Sequence, residues 1–230
     1  MAITHIGSAT PTGQPTSSYT VVIPSGTATG DILVLVQAQD GTTADPSVTD
    51  NDSGGNTWAK VGGSSGGTRA GSVWWKRATS GTASKTVTVS HGSATSMAGS
   101  VSVFRGVQTS DPPYSGFTSE SNSSGDESMA GITPAAGNTM VMVAMAVADD
   151  QTISSASATN PATFAKSAEK TSTGGADCAV SVWYALQGAA AATGTISWNQ
   201  PTNSQSASYA FVLLPAVAAS GGRFLAFFVR

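Results

Sequence analysis

The residues able to do chemistry in this chain are few, and most of them fall in turns. Asp40, Asp45, Asp50 and Asp52 form the one acidic cluster, and Asp50-Asn51-Asp52-Ser53-Gly54-Gly55-Asn56 opens as a calcium loop does, with oxygen donors on alternate residues. Asp50 and Asp52 are therefore the candidate calcium ligands. The loop lacks the closing Glu of an EF-hand, and Asp and Asn also favour turns by bonding their own backbone, so no metal site is assigned. Glu120, Glu127 and Glu169 are the only glutamates. They lie in loops or near linkers and offer no fixed pair of carboxyls of the kind glycoside hydrolysis requires.

His5 and His91 are the only histidines, and Cys178 is the only cysteine. A zinc centre needs three or four ligands, which this set hardly supplies. A serine triad would need one of the two histidines, and the chain has no G-x-S-x-G elbow. Both histidines read as polar surface residues and Cys178 as a buried, inert thiol. The glycine-rich run 62–71 lacks the Lys and following helix of a phosphate cradle. No catalytic residue and no cofactor is assigned. Trp74 and Trp75 could stack a sugar, but adjacent strand residues point to opposite faces. One of them must enter a core, so core packing is preferred to a glycan platform.

The elements that carry these residues are short strands. Ile32-Leu33-Val34-Leu35-Val36 is apolar at every position, which predicts a central strand covered on both faces. Thr86-Val87-Thr88-Val89-Ser90 alternates, as does Ser100-Val101-Ser102-Val103, and Pro/Gly/Ser clusters separate the runs. About seven strands at this spacing, with no convincing helix, predict an all-β fold, a β-sandwich of immunoglobulin-like or jelly-roll type.

The same series occurs twice. Gly30-Asp31-Ile32-Leu33-Val34 returns at Gly137-Asn138-Thr139-Met140-Val141, 107 positions on (from 30 to 137). Trp58-Ala59-Lys60 returns as Phe164-Ala165-Lys166, and Ser72-Val73-Trp74-Trp75 as Ser181-Val182-Trp183-Tyr184. Thr88-Val89-Ser90 returns as Thr195-Ile196-Ser197, and Ser100 to Val107 as Ala210 to Val217. A collinear series of five blocks predicts a tandem duplication, with sandwich copy one at 1–108, copy two at 109–217 and an apolar tail at 218–230.

In that alignment Gln37 and Gln39 become Ala144 and Ala146, Lys76 and Arg77 become Ala185 and Leu186, and Ser100 and Ser102 become Ala210 and Val212. Each change turns an expected solvent face apolar, and monomers rarely expose large apolar patches. Ala144, Ala185 and Val212 are therefore read as docking positions, buried against copy one or a neighbouring chain. The tail Arg223-Phe224-Leu225-Ala226-Phe227-Phe228-Val229-Arg230 carries Phe224, Leu225, Phe227 and Phe228 outside both repeats. It is read as contacting a partner subunit, as an added strand does.

Composition narrows the function classes. Charged residues are 10% of the chain against roughly 25% in an average soluble domain, and the formal net charge is −3. No basic run appears, which argues against a nucleic-acid site. The apolar run 140–148 is too short to span a bilayer, and the N-terminus lacks the pattern of a signal peptide. A soluble protein made in a cytoplasm is expected, with no membrane partner.

The strand Gly30 to Val36, then Val48-Thr49-Asp50-Asn51 and Gly55-Asn56-Thr57-Trp58, then the Trp-rich strand and a Val-Phe ending, resembles a β-sandwich module of bacteriophage virion proteins and some bacterial surface proteins. The resemblance covers most of copy one and, more loosely, copy two. It implies a non-enzymatic structural role in the virion, made in a bacterial host. That role would be capsid decoration or a head or tail accessory protein, homo-oligomeric and bound to capsid or tail proteins. The alternative is a glycan- or receptor-binding adhesion module of a fibre.

Overall fold

A computed structural model describes residues 2–54, 56–66, 69–122, 128–173, 177–201 and 204–217. Among them the chain is all-β and builds two tandem β-sandwiches of eight strands each, one more than the spacing predicted. Copy one contains β1 (Thr4–Ala9), β2 (Ser18–Val22), β3 (Ile32–Asp40), β4 (Ser47–Asp50), β5 (Ala59–Gly66), β6 (Arg69–Arg77), β7 (Thr86–Ser90) and β8 (Ser96–Arg105). Copy two contains β9 (Tyr114–Asn122), β10 (Ser128–Met129), β11 (Thr139–Ala148), β12 (Ser155–Ser157), β13 (Ala165–Ser172), β14 (Cys178–Gln187), β15 (Ile196–Asn199) and β16 (Ser206–Leu213).

The sheets of copy one run β1-β8-β3-β6-β5 and β2-β7-β4, and those of copy two run β9-β16-β11-β14-β13 and β10-β15-β12. Adding eight to each strand number converts one copy into the other, so the duplication extends to topology. Every strand pair is antiparallel. The first four strands alternate between the sheets, and the first and last strands pair. This is the jelly-roll wind, with β5 and β13 moved to pair with the strands that follow them.

The two five-stranded sheets pack on each other. Between them lies a core in which Ile32, Val34, Val36, Ala38, Val73 and Phe104 of copy one meet Met140, Met142, Ala144, Val182, Tyr209 and Phe211 of copy two. Each sandwich has its own second core, with Leu33, Leu35, Val87, Val89 and Val101 in copy one and Val141, Val143, Trp183, Ile196 and Val212 in copy two. The molecule is thus four layers of three, five, five and three strands. All nine residues of β3 and all ten of β11 are buried, which is why the run Ile32 to Val36 and nearly all of β11 are apolar on both faces.

Fit at the middle layer depends on small residues in copy one. A Cβ on Gly71 would come within 2.6 Å of both the Ala146 methyl and the Tyr209 hydroxyl, and one on Gly62 would enter the Phe117 ring. Outside, the three-stranded sheet of copy one presents hydroxyls: Thr20, Thr88 and Thr49 form one row across it and Ser18, Ser90 and Ser47 the next. Val87 and Val89 alternate inward.

The structure corrects the alignment of the central strands by one residue. Gly30 (φ 89°) and Asn138 (φ 57°) both hold the left-handed conformation just before their strands, a region that Gly and Asn tolerate. Ile32 pairs with Phe104 and Arg77, and Met140 pairs with Leu213 and Leu186. The counterpart of Gln37 is therefore Met145, and those of Ser100 and Ser102 are Tyr209 and Phe211. A slip of one residue exchanges the two faces of a strand.

Candidate functional site

The densest group of polar side chains lies inside copy one. Lys76 shares the inward face of β6 with Ser72 and Trp74, because alternate strand residues share a side. Its side chain is fully buried. Asp50 reaches it from the end of β4 in the opposite sheet, and Asp52 from the turn that follows. Nζ of Lys76 lies 3.0 and 2.8 Å from the two carboxylate oxygens of Asp50 and 3.1 Å from Oδ2 of Asp52. The Trp58 indole donates to Asp50 Oδ2 at 2.7 Å. Thr82 donates to Asp52 Oδ2 at 2.5 Å, and Thr79 donates to the same carboxylate.

The turn is held by its own acids. The Asp52 amide donates to Asp50 Oδ1 at 3.0 Å, and the Gly54 amide to Asp52 Oδ1 at 3.1 Å. Burial alone would raise the Asp52 carboxyl. Hydrogen bonds from Thr82, Lys76 and the Gly54 amide, with the charge of Lys76, outweigh it and hold the pKa at about 2. Asp50 and Asp52, the candidate calcium ligands, thus both face Lys76. The cation between the two carboxylates is the chain's own Lys76, and their remaining lone pairs take N–H and O–H donors. Among the described residues no group of three or more His, Cys, Asp or Glu is placed to hold a metal. A cleft of about 340 Å³, lined by Val48, Asp50, Asp52, Asn56, Thr57 and Trp58, opens beside the cluster.

A second polar group sits where the edges of the two copies meet. Ser167 of β13 bonds Ser8 of β1 at 2.8 Å and Ser102 of β8 at 2.7 Å. His5 Nε2 lies 2.8 Å from Ser8 Oγ and 3.1 Å from Ser167 Oγ. Burial lowers the pKa of His5 and outweighs a backbone hydrogen bond at Gly7 that raises it. The ring packs on Phe104 and Tyr184, with centroids 5.3 and 4.9 Å away. His5 is therefore half-buried in the seam, not the surface residue expected. A neutral imidazole next to hydroxyls is half of a nucleophile pair, yet among the described residues no carboxylate bonds it. Its geometry ties three strands together. Cys178 is buried, with its thiol pushed up to about 11 by that burial, and lies 3.3 Å from Ser96 Oγ.

The positions read as docking surface fall inside the chain. Ala144 is fully buried between the two five-stranded sheets, so copy one covers it. Ala185 and Val212 point into copy two's own sandwich, which buries them without copy one. The error has a cause. Gln37, Gln39, Lys76, Ser100 and Ser102, taken as solvent-facing in copy one, are all buried there. Gln37 donates to Ser72 Oγ at 3.0 Å, and Gln39 to the carbonyl of Ala44 at 2.5 Å. Phe224, Leu225, Phe227 and Phe228 lie outside the described residues, as does Glu127.

The Trp strands keep one role in both copies. Trp74 Nε1 donates to Ser72 Oγ and Trp183 Nε1 to Ser181 Oγ, each at 2.8 Å. Trp75 and Tyr184 lie partly buried against the middle core. The Lys76–Asp50–Asp52 group escaped sequence reasoning. Its signal was present, since Lys76 has the parity of Ser72 and Trp74, and an inward Lys requires an acid. No protein-family model, no curated protein and no solved structure matches this chain.

Proposed function

We propose that the chain is a non-enzymatic structural component of a bacteriophage particle, decorating or cementing capsid or tail proteins and working as a homo-oligomer. The observation that supports this reading is the four-layer stack. Lys76, Asp50, Asp52 and His5, which could have done chemistry, are occupied in holding strands together. What the outer sheet of copy one presents is rows of hydroxyls, with Val22 exposed beside them. Because the five-stranded sheets cover each other, docking falls to other surfaces, and the three phenylalanines of the tail supply the apolar anchors. A part that binds only the assembled shell adds its binding free energy to the shell's stability. Deletion of 223–230 should abolish co-sedimentation with purified particles while leaving the folded body intact. Undiminished incorporation would defeat the arrangement.

The cleft beside Trp58 favours one alternative, a glycan-binding adhesion module. An indole with neighbouring Asn56 and Thr57 offers stacking and hydrogen bonds to a sugar. Binding on a glycan array that is lost in Trp58→Ala would select this reading over the structural one.

A further inference from the structure

We propose that Lys76 and Asp50 form an intramolecular isopeptide bond, Lys76 Nζ to Asp50 Cγ, which staples the two sheets of the first sandwich to each other. The geometry places every required group. Nζ stands 3.0 and 2.8 Å from the two carboxylate oxygens, and a turn of the carboxyl group that presents its face to the nitrogen makes an attack on Cγ possible; reacting atoms in near-attack arrangements are roughly 3–3.5 Å apart. Attack needs a neutral amine and a neutral carboxyl. Passing one proton from Nζ to Asp50 Oδ1 makes both at once and leaves the charge of the cluster unchanged.

The remaining groups fit the steps that follow. As the C–N bond forms, charge builds on Asp50 Oδ2, where the Trp58 indole already donates at 2.7 Å. The proton shed by the nitrogen is taken by Asp52 Oδ2, 3.1 Å from Nζ. Asp52 is suited to this as the ionised member of the pair, held so by Thr79, Thr82 and the Gly54 amide. It returns the proton to the Oδ1 hydroxyl, which leaves as water through the adjoining cleft. One C–N bond forms and one C–O bond breaks. An amine and a carboxylic acid become an amide and water, with no oxidant, reductant or co-reactant. Copy two carries Ala185 in place of Lys76, and the residue after Ser157 at the end of β12 is Ala158 where Asp50 follows Thr49 at the end of β4, so the second sandwich has neither partner.

Peptide mass mapping of the purified full-length chain decides the matter. The expected product is one branched peptide joining the segment around Asp50 to the segment around Lys76, lighter than the two together by one water. Asp52→Asn keeps amine and electrophile but removes the proton acceptor, and should leave the two peptides separate; Lys76→Met should do the same. Separate peptides at their sequence masses in the aged wild-type chain would overturn the proposal. A loss of water that persists in Lys76→Met would overturn it as well, because the water would then come from elsewhere.

Discussion

The two sandwiches share a strand order and differ in what fills them. Copy one holds Lys76, Asp50 and Gln37 between its sheets, whereas copy two has Ala185, Ala158 and Met145 at the same points. The seams where the copies meet differ as well. On one side Ser8, Ser102 and Ser167 meet in hydrogen bonds. On the other, the counterparts of Ser8 and Ser102 are Phe117 and Phe211, and Phe117 packs over Gly62. Related seams are thus closed once by hydroxyls and once by an aromatic ring over a glycine. The lesson is that after duplication each half was free to satisfy the same buried positions by different chemistry. Hydrophilic residues in one copy therefore do not mark solvent in the other.

The two copies differ most at Lys76. Relative to the unlinked ion pair, Lys76→Met leaves Asp50 and Asp52 buried without their cation, which should cost about 3–5 kcal/mol, the usual penalty for removing one partner of a buried pair. Adding Asp50→Ala and Asp52→Ala makes copy one resemble copy two and should recover most of that loss. Denaturant unfolding of the two variants checks both figures. A neutral Lys76→Met would mean that the three side chains do not form a buried ion cluster.

Next in size is the aromatic seam. Gly62→Val places two methyl groups against the Phe117 ring and should cost about 1–3 kcal/mol, as overpacking does. Phe117→Ala in the same chain should relieve part of it, a coupling that a double-mutant cycle measures. Simple additivity would mean that the two residues do not touch.

Smaller effects follow from pH, with opposite causes in the two polar groups. His5 has a lowered pKa in the folded chain, so the unfolded chain binds its proton first. Stability from this group is full above 6.5 and falls as pH drops below that value towards the folded pKa. Asp52 is depressed from 3.8 to about 2, so its contribution persists above 3.8 and is lost as pH falls between those values. Unfolding free energy measured against pH should show both declines. His5→Gln should remove the first and spare the second.

Much of the fold was legible in the sequence, because Ile32 to Val36, the Trp strands and the alternating Thr/Val run repeat in order. The register was not. Matching Gly30 to Gly137 follows residue type, while the structure matches Gly30 to Asn138, since either residue suits a left-handed turn. That one-residue slip reversed the faces of β11 and made the Gln37 position look like Ala144. The Lys76 cluster was hidden for another reason. Strand alternation shows which side chains share a face, but not that the loop after β4 folds back to cover that face. Asp50 and Asp52 announced their turn, and their partner lay 24 residues on (from 52 to 76) across the sandwich.

One chain folds its two five-stranded sheets onto each other, and cysteines placed at Ser102 and Ser167, with Cys178 replaced by Ser, report on that contact. The two hydroxyls are 2.7 Å apart, close to the geometry a disulfide requires. Mild oxidation should link them within a single chain and run as a monomer on a non-reducing gel. Failure to link, or links formed only between chains, would contradict the four-layer body.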